Sequence, residues 1–185
     1  GLAFFGGLIG CSIGVVWYAG WHGVSWRRRI DLGGPALMLA YGIGRMGCHV
    51  SGDGDWGVEN LAPKPNWLNW LPDWAWAYNY EGNVHGITLE NPVWPTPFYE
   101  VLMALSLFFI LWSIRKRFAP GVLFCIYLIF AGVERLLIEK IRVNPDYHFL
   151  GLDFTQAEMI SFSFVLLGTI GSVIFSRVTN KTAEH

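Results

Sequence analysis

Charge is scarce in this chain. Only 15% of its 185 residues are Asp, Glu, Lys or Arg, against about 25% in ordinary soluble domains. With 53% hydrophobic residues, 16% aromatics and a mean hydropathy of +0.38, that shortage argues against a soluble globular domain and against a disordered chain. An excess of either sign is also missing. Thirteen basic and 14 acidic residues leave a formal net charge of -1, so no global attraction to nucleic acid follows and no nucleic-acid partner is expected. Cysteine is sparse: Cys11, Cys48 and Cys125 lie far apart, with neither metal-ligand spacing nor a disulfide framework. The chain starts at Gly1 inside an apolar run, without an initiator Met or the charged n-region of a signal peptide. That beginning is expected of a chain whose N-terminal part is missing or processed. Internal repeats and low-complexity tracts are lacking too.

What is present is a series of apolar runs. A bilayer core about 30 Å thick needs about 20 mostly apolar helical residues. Five stretches approach that: Gly1 to about Gly20, about Leu32 to Val50, Pro97 to about Ile114, about Gly121 to Ile138, and about Ala157 to Phe175. The expected fold is an all-α polytopic membrane bundle of about five transmembrane helices, one membrane domain over residues 1–185. The second stretch holds Gly33, Gly34, Pro35, Gly42, Gly44, Arg45 and Gly47. So polar a span is expected to pack in protein rather than face lipid.

Loop charges predict the orientation. Arg27, Arg28 and Arg29 follow the first span, Arg115, Lys116 and Arg117 the third, and Arg177 and Lys181 the fifth. Basic loops stay cytoplasmic. The segment 51–96 has Lys64 as its only base beside Asp53, Asp55, Glu59, Asp73, Glu81 and Glu90, and is therefore expected outside. It carries Trp56, Trp67, Trp70, Trp74, Trp76 and Trp94. Trp favours the headgroup region, so this segment reads as a small Trp-rich cap on the outer leaflet.

Charges inside spans need partners or a function. Arg45 and Arg135 each lie about 20 Å from the cytoplasmic end of their span, counted from Asp31 and Pro120 at 1.5 Å per residue. Two guanidiniums at one depth suit a phosphate, and a phospholipid headgroup entering sideways is the natural anion there. The alternative is internal neutralisation by Glu100, Glu134 or Glu139. Arg45 has no acidic residue within one helical turn. Arg135, Glu139 and Arg142 share a helix face by their spacing, with Asn144, Pro145 and Asp146 ending that helix.

The segment Gly44-Arg45-Met46-Gly47-Cys48-His49-Val50-Ser51-Gly52-Asp53-Gly54-Asp55-Trp56-Gly57 is the most informative. Its glycines allow close backbone approach to a ligand, and Ser51, Asp53 and Asp55 supply acceptors and candidate bases. Before the third span, Trp94-Pro95-Thr96-Pro97-Phe98-Tyr99-Glu100 reads as a helix start with Thr96 as cap and Pro97 at the first helical position. Glu100 is a candidate to neutralise an arginine or to carry a proton.

These segments together resemble the prolipoprotein diacylglyceryl transferases of bacterial inner membranes. GLAFFGGLIG resembles that family's Gly-Gly-Leu-Ile-Gly-like entry, GRMGCHVSGDGDWG its Gly-Arg-x-Gly signature, PTPFYE its His-Pro-x-x-Leu-Tyr-Glu motif, and ERLLIEKIRVNPD its Arg-x-x-x-Glu-x-x-Arg-x-Pro-Asp element. The resemblance implies transfer of a diacylglyceryl group from phosphatidylglycerol to the lipobox cysteine of a prolipoprotein signal peptide, at the outer face of the bacterial plasma membrane, by a multi-pass enzyme without cofactor or metal. Arg45 and Arg135 fall on the family's arginine positions. With Asp53 and Glu100 they form the implied catalytic set. Gly44, Gly47, Cys48, His49, Ser51, Gly52, Gly57, Tyr99, Glu139 and Arg142 form the implied substrate-binding set. The departures are Phe5 in place of a His, Cys48 and Ser51 in place of Asn, Asp53 near the usual Glu in a turn one residue longer, and Trp94 in place of the motif's His. A divergent, N-terminally shortened member is expected. A non-catalytic phospholipid- or lipoprotein-binding relative is the second reading. A transporter is the third, but it would want inverted repeats, and the sequence has none.

Overall fold

A computed structural model describes residues 2–142, 147–149, 152–154 and 156–183, with side chains placed over 9–142 and 157–178. Five helices make the body: α1 (Leu2–Trp21), α2 (Trp26–Ser51), α3 (Thr96–Ile114), α4 (Val122–Glu139) and α5 (Gln156–Ala183). The fold is helical, with one addition to the all-α expectation. An antiparallel hairpin of β1 (Tyr147–Phe149) and β2 (Leu152–Phe154) pairs Tyr147 with Phe154 and Phe149 with Leu152. Both three-residue runs alternate apolar, polar, apolar, which is the period of a strand, but they are too short to stand out in the sequence. The residues Asn144, Pro145 and Asp146 lie outside the described set.

Among the described residues, two helical segments are long and apolar enough to cross a membrane, Thr96–Ile114 and Ala157–Val178. Phe109, Trp112, Leu166 and Leu167 on them are exposed. An apolar face turned outward in this way calls for an apolar surrounding rather than water.

The helices meet through small residues, the usual device where lipid tails compete with side chains for apolar contact. A methyl added at Gly132 would stand 2.7 Å from the Ser161 carbonyl oxygen, and one at Gly168 would stand 2.6 Å from that of Cys125, so α4 and α5 touch backbone to backbone. The corresponding points of α2 are Gly34 against Tyr127 of α4 and Gly42 against Ala104 of α3. Met38, Ala104, Leu111 and Leu123 close the core between α2, α3 and α4. The Gly-rich α2 therefore packs in protein along one face only. Its other face, with Ile43, Gly44, Gly47 and Val50, is exposed among the described residues.

Two helix ends depend on partners distant in sequence. Asp31 near the start of α2 accepts hydrogen bonds from the backbone N–H of Gly121 (2.7 Å) and Phe124 (3.0 Å), and so caps α4. A carboxylate there satisfies orphan donors and suits the positive end of the helix dipole. At the opposite end of the bundle α3 starts one residue earlier than its motif predicts. Pro95 is the N-cap, and Thr96 and Pro97 are the first two helical residues. Thr96 does not cap. Its hydroxyl has a tertiary partner, described next.

Candidate functional site

The site stands where α2 ends, α3 begins and α4 stops. Gly52 terminates α2 in the left-handed conformation, φ +60°, and its N–H bonds to the Cys48 carbonyl. The chain then forms an irregular cap with short 3-10 turns at Asn66–Leu68 and Asp73–Ala75, and isolated bridges joining Glu59 and Tyr78 to Val93. Asn83, buried, holds the turn over Gly52 by donating to the carbonyls of Tyr80 (3.1 Å) and Ile87 (2.6 Å). Tyr99 on α3 donates to the Ala75 carbonyl at 2.8 Å and fastens the cap to that helix.

Gly57 and Thr96 set the position of Asp55. Gly57 bridges Arg142, and a methyl at Gly57 would stand 2.4 Å from the Ile141 carbonyl oxygen and 2.9 Å from Thr96 Cγ2 and Trp94 Cβ. Only a glycine lets the cap backbone lie this close to the turn after α4. The Thr96 hydroxyl donates to the Asp55 carbonyl at 2.8 Å. Together they hold the Asp55 backbone beside the last residues of α4.

The result is a charge cluster buried at the end of the bundle. The Asp55 carboxylate pairs through one oxygen with Arg45 and through the other with Arg142. Glu100, fully buried, pairs through Oε2 with Arg45, and its Oε1 lies 4.0 Å from Arg142 Nη1. Tyr41, one turn below Arg45 on α2, donates to Glu100 at 2.5 Å, lies 3.4 Å from Glu134 and is covered by the Arg45 guanidinium. Glu100 Oε1 and Arg142 Nη1 are buried without a hydrogen-bond partner. Both side chains of this ion pair keep bonding capacity in reserve.

The predicted residues are thus partly brought together. Arg45, Glu100 and Arg142 meet. Arg45 meets Arg142 across Asp55, and Arg135 is not among the groups that ion-pair there among the described residues. Arg135 is half-buried and, among the described residues, makes no hydrogen bond or ion pair beyond the field of Glu134. Nor does Arg142 share a helical face with Arg135 and Glu139. α4 stops at Glu139 and Arg142 lies in the turn beyond it, which swings its side chain to Asp55. Glu139 is buried at the helix end. The neutralisation of Arg45 comes from Asp55 in a following loop and Glu100 on another helix, neither visible to counting along one turn.

The remaining signature residues line the mouth. Asp53 accepts from the Asp55 N–H at 3.3 Å, and its carbonyl lies 2.9 Å from His85 Nε2. Ser51 accepts the Val84 N–H at its carbonyl, 3.1 Å away. His49 does not join the charged cluster. Its Nδ1 lies 2.9 Å from the Tyr80 hydroxyl, and its ring sits among Trp74, Tyr78, Tyr80 and Phe98 at centroid distances of 5.6 to 5.7 Å. Burial pushes the Tyr80 phenol above its usual range, so it stays neutral. Gly44 and Gly47 face open space with nothing within 4 Å. Tyr41 is the participant that sequence reasoning missed. Its spacing of four from Arg45 was the available signal.

Cys48, Asp53 and Asp55 present ligand atoms within 4.8 Å of one another. Both Asp55 oxygens already serve arginines, so this grouping does not suit a cation. An apolar groove of about 420 Å³ runs between α3 and α4, lined by Leu102, Met103, Leu107, Phe130, Val133 and Leu137 among others, with Glu134 in its wall. The tryptophans of the cap divide into two sets. Trp76 stacks edge-on against Trp94 at 4.7 Å and Trp56 stacks on Tyr80 at 5.2 Å, inside the cap. Trp67 and Trp70 are 75% and 77% exposed.

The geometry can be set beside known proteins. The family profile described as prolipoprotein diacylglyceryl transferase matches residues 1–174. A phosphatidylglycerol–prolipoprotein diacylglyceryl transferase of Chlorobaculum tepidum is 31% identical over 188 residues, covering 100% of this chain and 58% of its own length. Similar proteins of the same name from Leptospira interrogans (serovar copenhageni) and Geobacter sulfurreducens are 31% and 30% identical, covering 91% and 96% of this chain and 57% and 62% of theirs. The chain therefore spans a little over half the length of these relatives.

Proposed function

We propose that this chain, which belongs to the prolipoprotein diacylglyceryl transferase family, carries the phosphate-handling part of a diacylglyceryl transfer site. The substrates are phosphatidylglycerol and the lipobox cysteine of a prolipoprotein signal peptide. The protein is a multi-pass inner-membrane protein with its five helices crossing the bilayer. The Arg27–Arg29 and Arg115–Arg117 loops lie inside and the Trp-bearing cap outside, with Trp67 and Trp70 in the headgroup layer.

The supporting observation is that two guanidiniums from different elements, Arg45 and Arg142, grip one carboxylate between them. That is an anion site by construction, since planar forks match two oxygens of a carboxylate or a phosphate. In the proposed reaction the cysteine sulfur attacks the glyceryl carbon. A carbon–sulfur bond forms, the bond from that carbon to the phosphate oxygen breaks, and glycerol phosphate leaves with the electron pair. Arg45 and Arg142 hold the phosphate and Arg135 adds positive field, stabilising charge that grows on the leaving oxygen. Asp53, at the mouth, is the proposed acceptor of the thiol proton. Glu100 orients Arg45. Cys48, His49, Ser51, Gly52, Gly57, Tyr99 and Glu139 border that site, while Gly44 and Gly47 stand on the open face of α2.

The test is mass spectrometry of a lipobox peptide incubated with the membrane protein and phosphatidylglycerol. A diacylglyceryl mass gain is expected, lost in Arg45→Ala and Arg142→Ala and reduced in Arg135→Ala. The second reading is a lipid-binding relative without turnover, favoured by Phe5 at the position of the family's His. Phosphatidylglycerol binding by a folded protein with no mass gain would select it.

A further inference from the structure

We propose that Asp55 is an exchangeable counter-ion. Its carboxylate occupies the anion position between Arg45 and Arg142, and the phosphate ester of an incoming ligand displaces it. This deepens the reading above and rests on it for the identity of the ligand.

Four observations converge. The first is the shape of the contact. One Asp55 oxygen goes to Arg45 and the other to Arg142, the arrangement in which two non-bridging phosphate oxygens would be received. The second is position. The Asp55 side chain is 31% exposed, while those of Arg45, Arg142 and Glu100 are 10%, 11% and 0% exposed. The anion at the opening is the one able to leave. Its backbone is anchored through the Thr96 hydroxyl, so departure is a side-chain rotation and leaves the loop in place.

The third observation is the reserve within the cluster. Arg45 keeps Glu100 as a partner after Asp55 leaves. Arg142 Nη1 and Glu100 Oε1 stand 4.0 Å apart, both without a hydrogen bond. Closing that gap compensates Arg142 when its carboxylate turns away. Neither arginine is then left alone and buried, which would be strongly unfavourable. The fourth is charge balance. Two guanidiniums face the two carboxylates Asp55 and Glu100. A phosphodiester monoanion in place of Asp55 preserves neutrality, whereas a phosphodiester added beside Asp55 would leave an excess negative charge. Exchange is therefore favoured over addition. After transfer, the returning carboxylate competes with the phosphate monoester product and assists its release.

The inference is tested by binding, separately from turnover. Purified protein in nanodiscs is titrated with soluble glycerol phosphate, inorganic phosphate and, by varying disc composition, phosphatidylglycerol. Removing an internal competitor raises apparent affinity by the reciprocal of the open fraction. Asp55→Asn is thus expected to tighten glycerol phosphate or phosphatidylglycerol binding by about 10-fold or more, with Asp55→Glu near the parent. Unchanged or weakened binding by folded Asp55→Asn protein overturns the exchange.

Because Asp55→Asn could also unsettle the arginines, the parent protein gives a second reading. Carbodiimide-driven amidation of Asp55, followed by peptide mass spectrometry, should be slow in the free protein and rise several-fold when the anion is bound. Protection of Asp55 by the anion, or no change at saturation, overturns the proposal. Acceleration by soluble phosphate and by phosphatidylglycerol alike identifies the phosphate group as the displacing element. Acceleration by phosphatidylglycerol alone identifies the lipid headgroup. Anion exchange without transfer to a lipobox peptide would remove the transferase reading and keep the exchange. Transfer with none of the binding effects would do the reverse.

Discussion

Two glycines of one signature should respond in opposite ways to the same added methyl group. At Gly57 an alanine Cβ would lie 2.4 Å from a backbone oxygen, Ile141 O, and 2.9 Å from Trp94 Cβ and Thr96 Cγ2. Ordinary van der Waals contacts begin at about 3.4 Å, so the surroundings must open by roughly 1 Å. Two of the obstructing atoms belong to backbone or to a Cβ and have no rotamer to change. Overpacking of this kind costs about 1–3 kcal/mol. At Gly44 nothing lies within 4 Å. There alanine removes the backbone-entropy penalty of a helical glycine, worth about 0.5–1 kcal/mol.

The assay is thermal or denaturant unfolding in detergent, paired with glycerol phosphate binding. Gly57→Ala is expected to unfold more easily and to bind at least tenfold more weakly. The opening needed at Gly57 pushes Ile141, and Arg142 with it, away from Arg45, so the two guanidiniums no longer meet on one anion, and misplacement by about 1 Å can reduce activity about 100-fold. Gly44→Ala should be neutral or slightly stabilised. A Gly57→Ala protein as stable and as competent as the parent would refute the close-approach argument. So would a Gly44→Ala protein as damaged as Gly57→Ala.

Three further outcomes follow from the packing. Glu100→Ala should destabilise the protein by about 3–5 kcal/mol, the usual effect of stripping one partner from a buried ion pair, and more than Glu100→Gln, in the same unfolding assay. Gly132→Ala should loosen α5 from α4 at a cost of about 1–3 kcal/mol, because its new Cβ would meet the Ser161 carbonyl at 2.7 Å. Faster proteolysis of the α5 segment reads this directly. Asp31→Ala removes the acceptor of two N–H groups at the start of α4 and should cost about 1–2 kcal/mol. Phosphate binding should stay unchanged, since Asp31 is at the other end of the bundle.

Where the sequence could be read correctly, one local rule decided the outcome. The runs of Val, Leu, Ile and Phe in α3 and α5 need no partner to announce a helix long and apolar enough to cross a membrane. The end of α2 is signalled by Gly52, whose left-handed backbone suits glycine. Other features depend on level and register between helices. Arg142 meets Arg45 at Asp55 because α4 stops at Glu139 and the turn beyond it carries Arg142 across to the cap, and no count along α2 or α4 alone gives that turn.

The exposed and half-buried tryptophans make the same point from the cap. Composition treats Trp56, Trp67, Trp70, Trp74, Trp76 and Trp94 as one belt. Trp76 instead donates its indole N–H to the Ala62 carbonyl at 2.9 Å and packs on Trp94, serving as interior for a segment too short to build a core of aliphatic residues. Trp67 and Trp70, on the turn at Asn66–Leu68 and just after it, keep their rings outward. One residue type thus does two physical tasks. Ring contacts within the cap separate them, and those contacts are set by the loop closing on itself through Asn60, whose amide donates to the Trp76 carbonyl at 2.7 Å. The same closure carries the chain back to Val93 and Thr96. The aromatic packing of the cap and the placement of Asp55 between two arginines are therefore consequences of one loop geometry.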